Sequence, residues 1–166
     1  ELETYSLIGL VDFLKDDFDG DEKLVVQVMN EKKVFVETKL NNNKDREAVI
    51  VALADVPDKT LNSYMDIEQF NIQLQSLFVE SDTRKRVLSI VGNLRTENVK
   101  NVGDNGTTQQ VETRRGVTMA QEEVIPNPVV LKPFRTFTEV PQPESMFVFR
   151  LRERVDGVQA ALFEAD

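Results

Sequence analysis

Apolar residues recur along this chain with two periods: three to four residues in three stretches, and two in most of the remainder. Within Ser6–Phe18, Leu7, Leu10, Val11 and Leu14 form a helical stripe flanked by Ile8 and Phe13. The spacing predicts a helix that Gly20 stops, with Asp16, Asp17 and Asp19 opposing the dipole at its C-terminal end. Lys23–Met29 and Lys33–Lys39 are β-rich runs joined by the short hairpin connection Asn30-Glu31-Lys32. In the second run Val34, Val36 and Thr38 face one way, and Phe35, Glu37 and Lys39 the other. Glu47–Ala54 is an apolar run that reads as a central strand, ended by Pro57. Asp66 caps a second helix, with Gln69 at capping-box spacing and Ile67, Phe70, Ile72, Leu74, Leu77 and Phe78 as its apolar surface. Ser81-Asp82 cap a third, with Val87, Leu88 and Val91 inward and Gly92-Asn93 at its end.

Beyond Asn93 the pattern is β throughout. Arg95–Val102 and Thr107–Arg115 flank the hairpin signal Gly103-Asp104-Asn105-Gly106, and Val117–Ile125 extends the meander after Gly116. Five of the six prolines fall between Pro126 and Pro143, so this segment cannot be an interior strand. It is expected to run extended over the C-terminal sheet, anchored by Phe134 and Phe137, with Arg135 and Thr136 reaching Glu139 or a carboxylate of the last hairpin. That hairpin, Ser145–Val155 and Val158–Ala165, turns over Asp156-Gly157. The prediction is an α+β fold: a helix plus a three-stranded antiparallel sheet (residues 1–62), two central helices (63–93) and a C-terminal β-meander or partial sandwich (94–166). The proline-rich extended segment is 126–143, and the whole is expected to form one compact unit. Phe70, Leu74, Leu77 and Leu88 are expected to join its modules as core residues.

Composition narrows the chemistry. With 40% hydrophobic and 30% charged residues, the 166-residue chain is able to bury a sizeable core. It has no His, Cys or Trp, which excludes a Ser-His-Asp triad, a cysteine nucleophile, a disulfide and an ordinary zinc site. No cofactor is expected. No run of apolar residues is long enough to span a membrane, and no basic region followed by an apolar run marks a signal peptide. The chain stops directly after an apolar strand, from which a longer native protein is expected. Asn105-Gly106-Thr107 matches a glycosylation sequon and is better explained as a turn. The net charge of -9 is uneven: residues 1–83 hold 8 Lys/Arg and 18 Asp/Glu, and of 10 arginines only Arg46 precedes residue 84. An acidic first half and an arginine-rich second half are complementary, so a homo-oligomer is expected.

Three constellations bear on chemistry. The acidic run Asp16–Glu22 suggests calcium, but with Gly20 at position 6 of an EF-hand loop, Lys15 takes position 1 and Val26 position 12, and both are wrong. Glu37-Thr38-Lys39 resembles the carboxylate–Lys core of restriction-type nucleases, in which acidic groups hold Mg²⁺. Asn30 stands near where a second metal-binding acid is wanted, and the same three-residue pattern recurs at Asp21–Lys23 and Glu31–Lys33. Arg150, Arg152 and Arg154 alternate along one strand, which puts three guanidiniums on one face with Met146 and Val148. With Arg135 they form the candidate binding surface. Protein contact or intrachain pairing is favoured there over a grip on nucleic acid.

Taken together, several segments resemble a phage and prophage protein family of unknown function. These are Ser6–Lys15, Asp66–Val79, Val91–Leu94, Gly103–Gly106 with Gln110-Val111, Ile125–Leu131, Lys132–Gln142, Phe147–Arg150 and Ala161–Asp166. The family is common in phages of Gram-positive bacteria, and a more distant enterobacterial relative is called YfdQ. The resemblance implies a phage gene expressed in the host bacterial cytoplasm, and it supplies no catalytic residues. The expectation is a non-enzymatic protein that acts by macromolecular binding or self-assembly, with itself or a host or phage protein as partner and no membrane. The alternatives are an acidic inhibitor of a host defence or nucleic-acid enzyme, a single-strand-binding replication accessory on Arg135 and the arginine ladder, and a Mg²⁺-dependent nuclease on Glu37 and Lys39.

Overall fold

The computed structural model describes residues 1–18, 20, 23–94, 99–115 and 119–165. The fold is α+β, with mainly antiparallel sheets. Its described residues divide into two compact units, Glu1–Pro57 with Phe134–Gln142, and Asp58–Pro133 with Pro143–Asp166. Asp19, Asp21 and Glu22 of the acidic loop, the expected strand start at Arg95 and the break at Gly116 lie outside the described residues.

In the first unit, Ser6 caps helix α1 (Leu7–Asp12), its hydroxyl accepting from the Gly9 amide at 2.9 Å. The helix passes into a π-helical turn (Phe13–Asp17) and ends at Phe18, before Gly20. Leu10 is buried as the stripe predicts, whereas Val11 turns outward. Strands β2 (Leu24–Asn30), β3 (Lys33–Thr38) and β4 (Ala48–Leu53) form the expected antiparallel sheet. The pattern did not foretell β1 (Leu2–Thr4), which pairs in parallel with β4 and gives the order β1-β4-β3-β2. Three residues are too few to show a period. Gly9 permits the close approach of this strand, since a Cβ there would stand 2.3 Å from the Thr4 hydroxyl. The core comprises Leu10, Val34, Val36, Ile50, Ala52 and Phe137.

Phe137 corrects the expectation for the proline-rich segment. Residues 134–142 belong to the first unit and not to the C-terminal sheet, and Phe137 is buried in that core while Phe134 is half-buried. Upstream, β9 (Val129–Leu131) is an edge strand of the second unit. The segment therefore splits after Pro133, and its first part does gain sheet pairing.

The second unit holds helices α2 (Ile67–Leu77) and α3 (Asp82–Gly92), capped by Asp66 and Ser81 as predicted. Phe70, Leu74, Val87, Ile90 and Val91 are buried, and Leu77 and Leu88 pack at the margin of the same core. Ile72 is exposed and its neighbour Gln73 is buried instead. The Gln73 amide accepts from the Thr60 N–H at 2.7 Å and donates to its carbonyl at 3.1 Å, so a polar residue ties down the preceding loop. One sheet has the order β5-β11-β10-β9, with β5 (Met65–Asp66), β10 (Ser145–Arg154) and β11 (Gly157–Glu164). Its hairpin turns over Val155-Asp156, one residue earlier than predicted, because Gly157 with φ of 135° already pairs with Arg154. The other sheet is the meander β6 (Val99–Asp104), β7 (Gln109–Arg115) and β8 (Met119–Val124). Phe70 stacks on Phe149 at 5.5 Å, and Phe78 meets Phe147 edge-on at 6.1 Å, which welds α2 to β10. No helix among the described residues is long and apolar enough to cross a membrane.

Candidate binding surface

Strand β10 alternates as its sequence demands. Phe147, Phe149 and Leu151 point into the core, and Met146, Val148, Arg150, Arg152 and Arg154 lie on the opposite face. Across from them on β11 stand Phe163, Ala161, Gln159 and Gly157. The ladder thus exists as predicted, but its members are differently engaged.

Arg150 forms an ion pair with Asp104 at the start of the β6–β7 turn. Asp104 also accepts from the Gly106 amide at 2.8 Å and from the Gln109 side chain at 3.3 Å. The Gly106 hydrogen bond is the largest influence on the Asp104 carboxyl; desolvation, the next, opposes it, and the Arg150 charge and the Gln109 contact add to the lowering, so the group lies below the usual carboxylate range. Arg152 donates from Nε to the Gln159 side-chain Oε1 at 2.7 Å, and its guanidinium carbon lies 4.1 Å from the centre of the Tyr64 ring. Tyr64 in turn meets Phe163 edge-on at 5.6 Å. Arg154 is exposed at the hairpin end. Two of the three guanidiniums are therefore held by acceptors and a ring within their own unit.

Gln109 was not singled out by the sequence, yet it organises this face. It is buried, its amide donates to the Leu151 carbonyl at 2.8 Å, and its carbonyl accepts from the Leu151 N–H at 2.8 Å. Strand β9 pairs with β10 only at Ser145–Phe147. Past that point the Gln109 side chain takes the place of a neighbouring strand and satisfies the backbone. The available signal was a long amide side chain three residues after the Gly-Asp-Asn-Gly turn.

Arg135 belongs to the other unit, so the four arginines proposed for one surface divide between two units. Its amide and that of Thr136 both donate to the Gln142 side chain, at 2.9 and 3.2 Å. Gln142 also donates to the Phe137 carbonyl at 3.0 Å, closing the segment into a compact loop. The Thr136 hydroxyl donates to the Glu31 carbonyl, and Glu139 accepts from the Ile8 amide at 2.8 Å at the start of α1. Thr136, expected to reach Glu139 or a carboxylate of the final hairpin, thus reaches the Glu31 carbonyl instead.

Glu37 and Lys39 flank the end of β3. Glu37 lies 3.8 Å from the Arg46 Nε, and Arg46 also donates to the Thr38 carbonyl at 3.1 Å. Asn30, the expected position for a further metal ligand, pairs with Lys33 at the far end of the strand from Glu37. The register therefore separates Asn30 from Glu37 and Lys39.

A second exposed strip lies on β2, the outermost strand of its sheet. Val26 and Val28 stand opposite Val36 and Val34 on the core face, yet they are 57% and 71% exposed, and Met29 is 51% exposed. From Leu24 to Asn30 the strand carries no charge and no proline. Comparison with protein-family models, curated proteins and solved structures finds no match to this chain.

Proposed function

We propose that this is a phage-encoded protein of the host bacterial cytoplasm that acts without catalysis, by binding macromolecules and first of all further copies of itself. The phage context rests on the resemblance of its Pro-Phe-Arg-Thr-Phe and Leu-Phe-Glu-Ala-Asp stretches, at residues 133–137 and 162–166. Self-association is carried by one observation: β2 is a seven-residue edge strand with no charge or proline and with an apolar face left open to solvent. Such an edge is a template for another chain. The engagement of Arg150 by Asp104, and of Arg152 by Gln159 and Tyr64, supports intrachain pairing over a phosphate grip for these two members of the ladder. Light scattering across micromolar concentrations, at low and high salt, tests the reading. A concentration-dependent mass above the monomer is expected, and a monomer throughout overturns it.

A further inference from the structure

We propose that Asn105-Gly106, at the tip of the β6–β7 hairpin, is a latent deamidation site that Asp104 holds closed in the folded chain. The site stands apart from the β2 edge and does not depend on self-association.

An Asn-Gly pair is reactive because glycine has no Cβ to shield its amide nitrogen from the preceding side chain. The Gly106 nitrogen loses its proton to solvent and bonds to the Asn105 Cγ. The bond from Cγ to the side-chain nitrogen breaks, and that nitrogen takes up a proton and leaves as ammonia. Water then opens the cyclic imide at either carbonyl and leaves aspartate or isoaspartate at position 105. The balance is one water consumed and one ammonia released, with no oxidant or cofactor. Residues 104–108 are all exposed, so solvent reaches the turn. Gly106 has φ of 93°, in the region that favours glycine, so the turn itself retains the labile pair.

Hydrogen bonds in the folded turn oppose this reaction. The Gly106 N–H, which carries the proton that must be lost, donates to the Asp104 Oδ1 at 2.8 Å. An anionic acceptor makes that proton harder to remove, because a second negative charge would form beside the first. The Asn105 Oδ1 accepts from the Thr107 and Thr108 amides at 3.1 and 2.8 Å, which restrains the carbon to be attacked. Asp104 is in turn held by Arg150 and by the side chain of Gln109, which is itself fixed on Leu151. The lock on Gly106 thus reaches back to β10. Isoaspartate at 105 adds a methylene to the backbone between Asp104 and Gln109, which pair across the base of the turn. Either product adds a negative charge next to Asp104.

The test is site-resolved mass spectrometry of the full chain, incubated at neutral pH and digested at intervals. The wild-type chain is expected to deamidate at 105 at least about tenfold more slowly in buffer than in guanidinium chloride, the factor that one hydrogen bond to a charged group supplies. Asp104→Ala removes the acceptor and is expected to speed the reaction in buffer by the same factor. Asp104→Asn keeps a weaker, neutral acceptor and is expected to speed it about threefold. Protection of the Leu151 amide from hydrogen exchange shows that the hairpin is intact in each variant. Where Asp104→Ala loses that protection, Asp104→Asn decides. A variant rate equal to that of wild type, with the hairpin intact, overturns the lock. So does a wild-type chain that deamidates at 105 as fast in buffer as in denaturant.

Discussion

The two units solve the same problem, the open edge of a sheet, in opposite ways. In the second unit the backbone of β10 is satisfied past the end of β9 by the buried Gln109 amide, and Asp104 and Arg150 hold the β6–β7 turn beside it. In the first unit no described strand pairs with the outer edge of β2, and Val26 and Val28 are exposed. Their cores differ in the same sense. The second core is built on aromatic pairs, Phe70 with Phe149 and Phe78 with Phe147. The first is a thin layer of aliphatic residues completed by one distant ring, Phe137. A unit that leaves apolar surface uncovered and has a small core gains most from a partner.

The largest test of this contrast is aromatic truncation. Phe149→Ala is expected to cost about 3–5 kcal/mol, and Phe137→Ala to fall near the lower end of that range. Hydrogen exchange should locate the losses separately: Phe149→Ala lowers protection in α2 and β10, and Phe137→Ala lowers it in α1 and β3. Equal loss in both units from either change would break the comparison. Next, Gln109→Ala removes both partners of Leu151 and should cost about 1–3 kcal/mol, because a buried donor and acceptor are left unmade. An unmoved denaturation midpoint would show that the amide is not closing the sheet. Smaller still, Val28→Lys should shift monomer stability by no more than about 0.5 kcal/mol, since the side chain is exposed at an edge. Chemical denaturation under dilute conditions checks this, and a large loss would mean that Val28 is packed inside the unit.

The smallest effect is expected at Asp104. Its folded pKa is lowered relative to the unfolded chain, first by the Gly106 amide. Its contribution to stability is therefore present above the ordinary carboxylate pKa of about 3.9, and is lost as pH falls through the lowered value. NMR titration should place its midpoint below that of a free Asp. Asp104→Asn should remove this part of the acid limb. A normal midpoint would show that the turn does not engage the carboxylate in solution.

Local pattern carried much of the architecture. The helix caps at Ser81 and Asp66, the alternation of Val34 and Val36 and the one-sided arginine ladder all follow from residue spacing close in sequence. These features depend on neighbours close in sequence, and local stereochemistry is enough to set them. What spacing could not show was which partners lie far along the chain. The Gln109–Leu151 clamp spans 42 residues, the Glu139–Ile8 hydrogen bond spans 131, and β1 pairs in parallel with β4, Leu2 opposite Ile50, with β2 and β3 between them in the chain. The same limit explains Ile72 and Gln73. A helical period marks an apolar stripe, but only the Thr60 backbone made burying the amide worthwhile. Sequence by itself determined the α+β class, the hairpins and the faces of strands and helices, because those depend on backbone geometry and side-chain period. Tertiary structure alone decided that Phe137 serves the first core, that Arg150 and Arg152 are already engaged, and that no described strand pairs with the outer edge of β2, because each depends on which groups remain unsatisfied once distant segments have met.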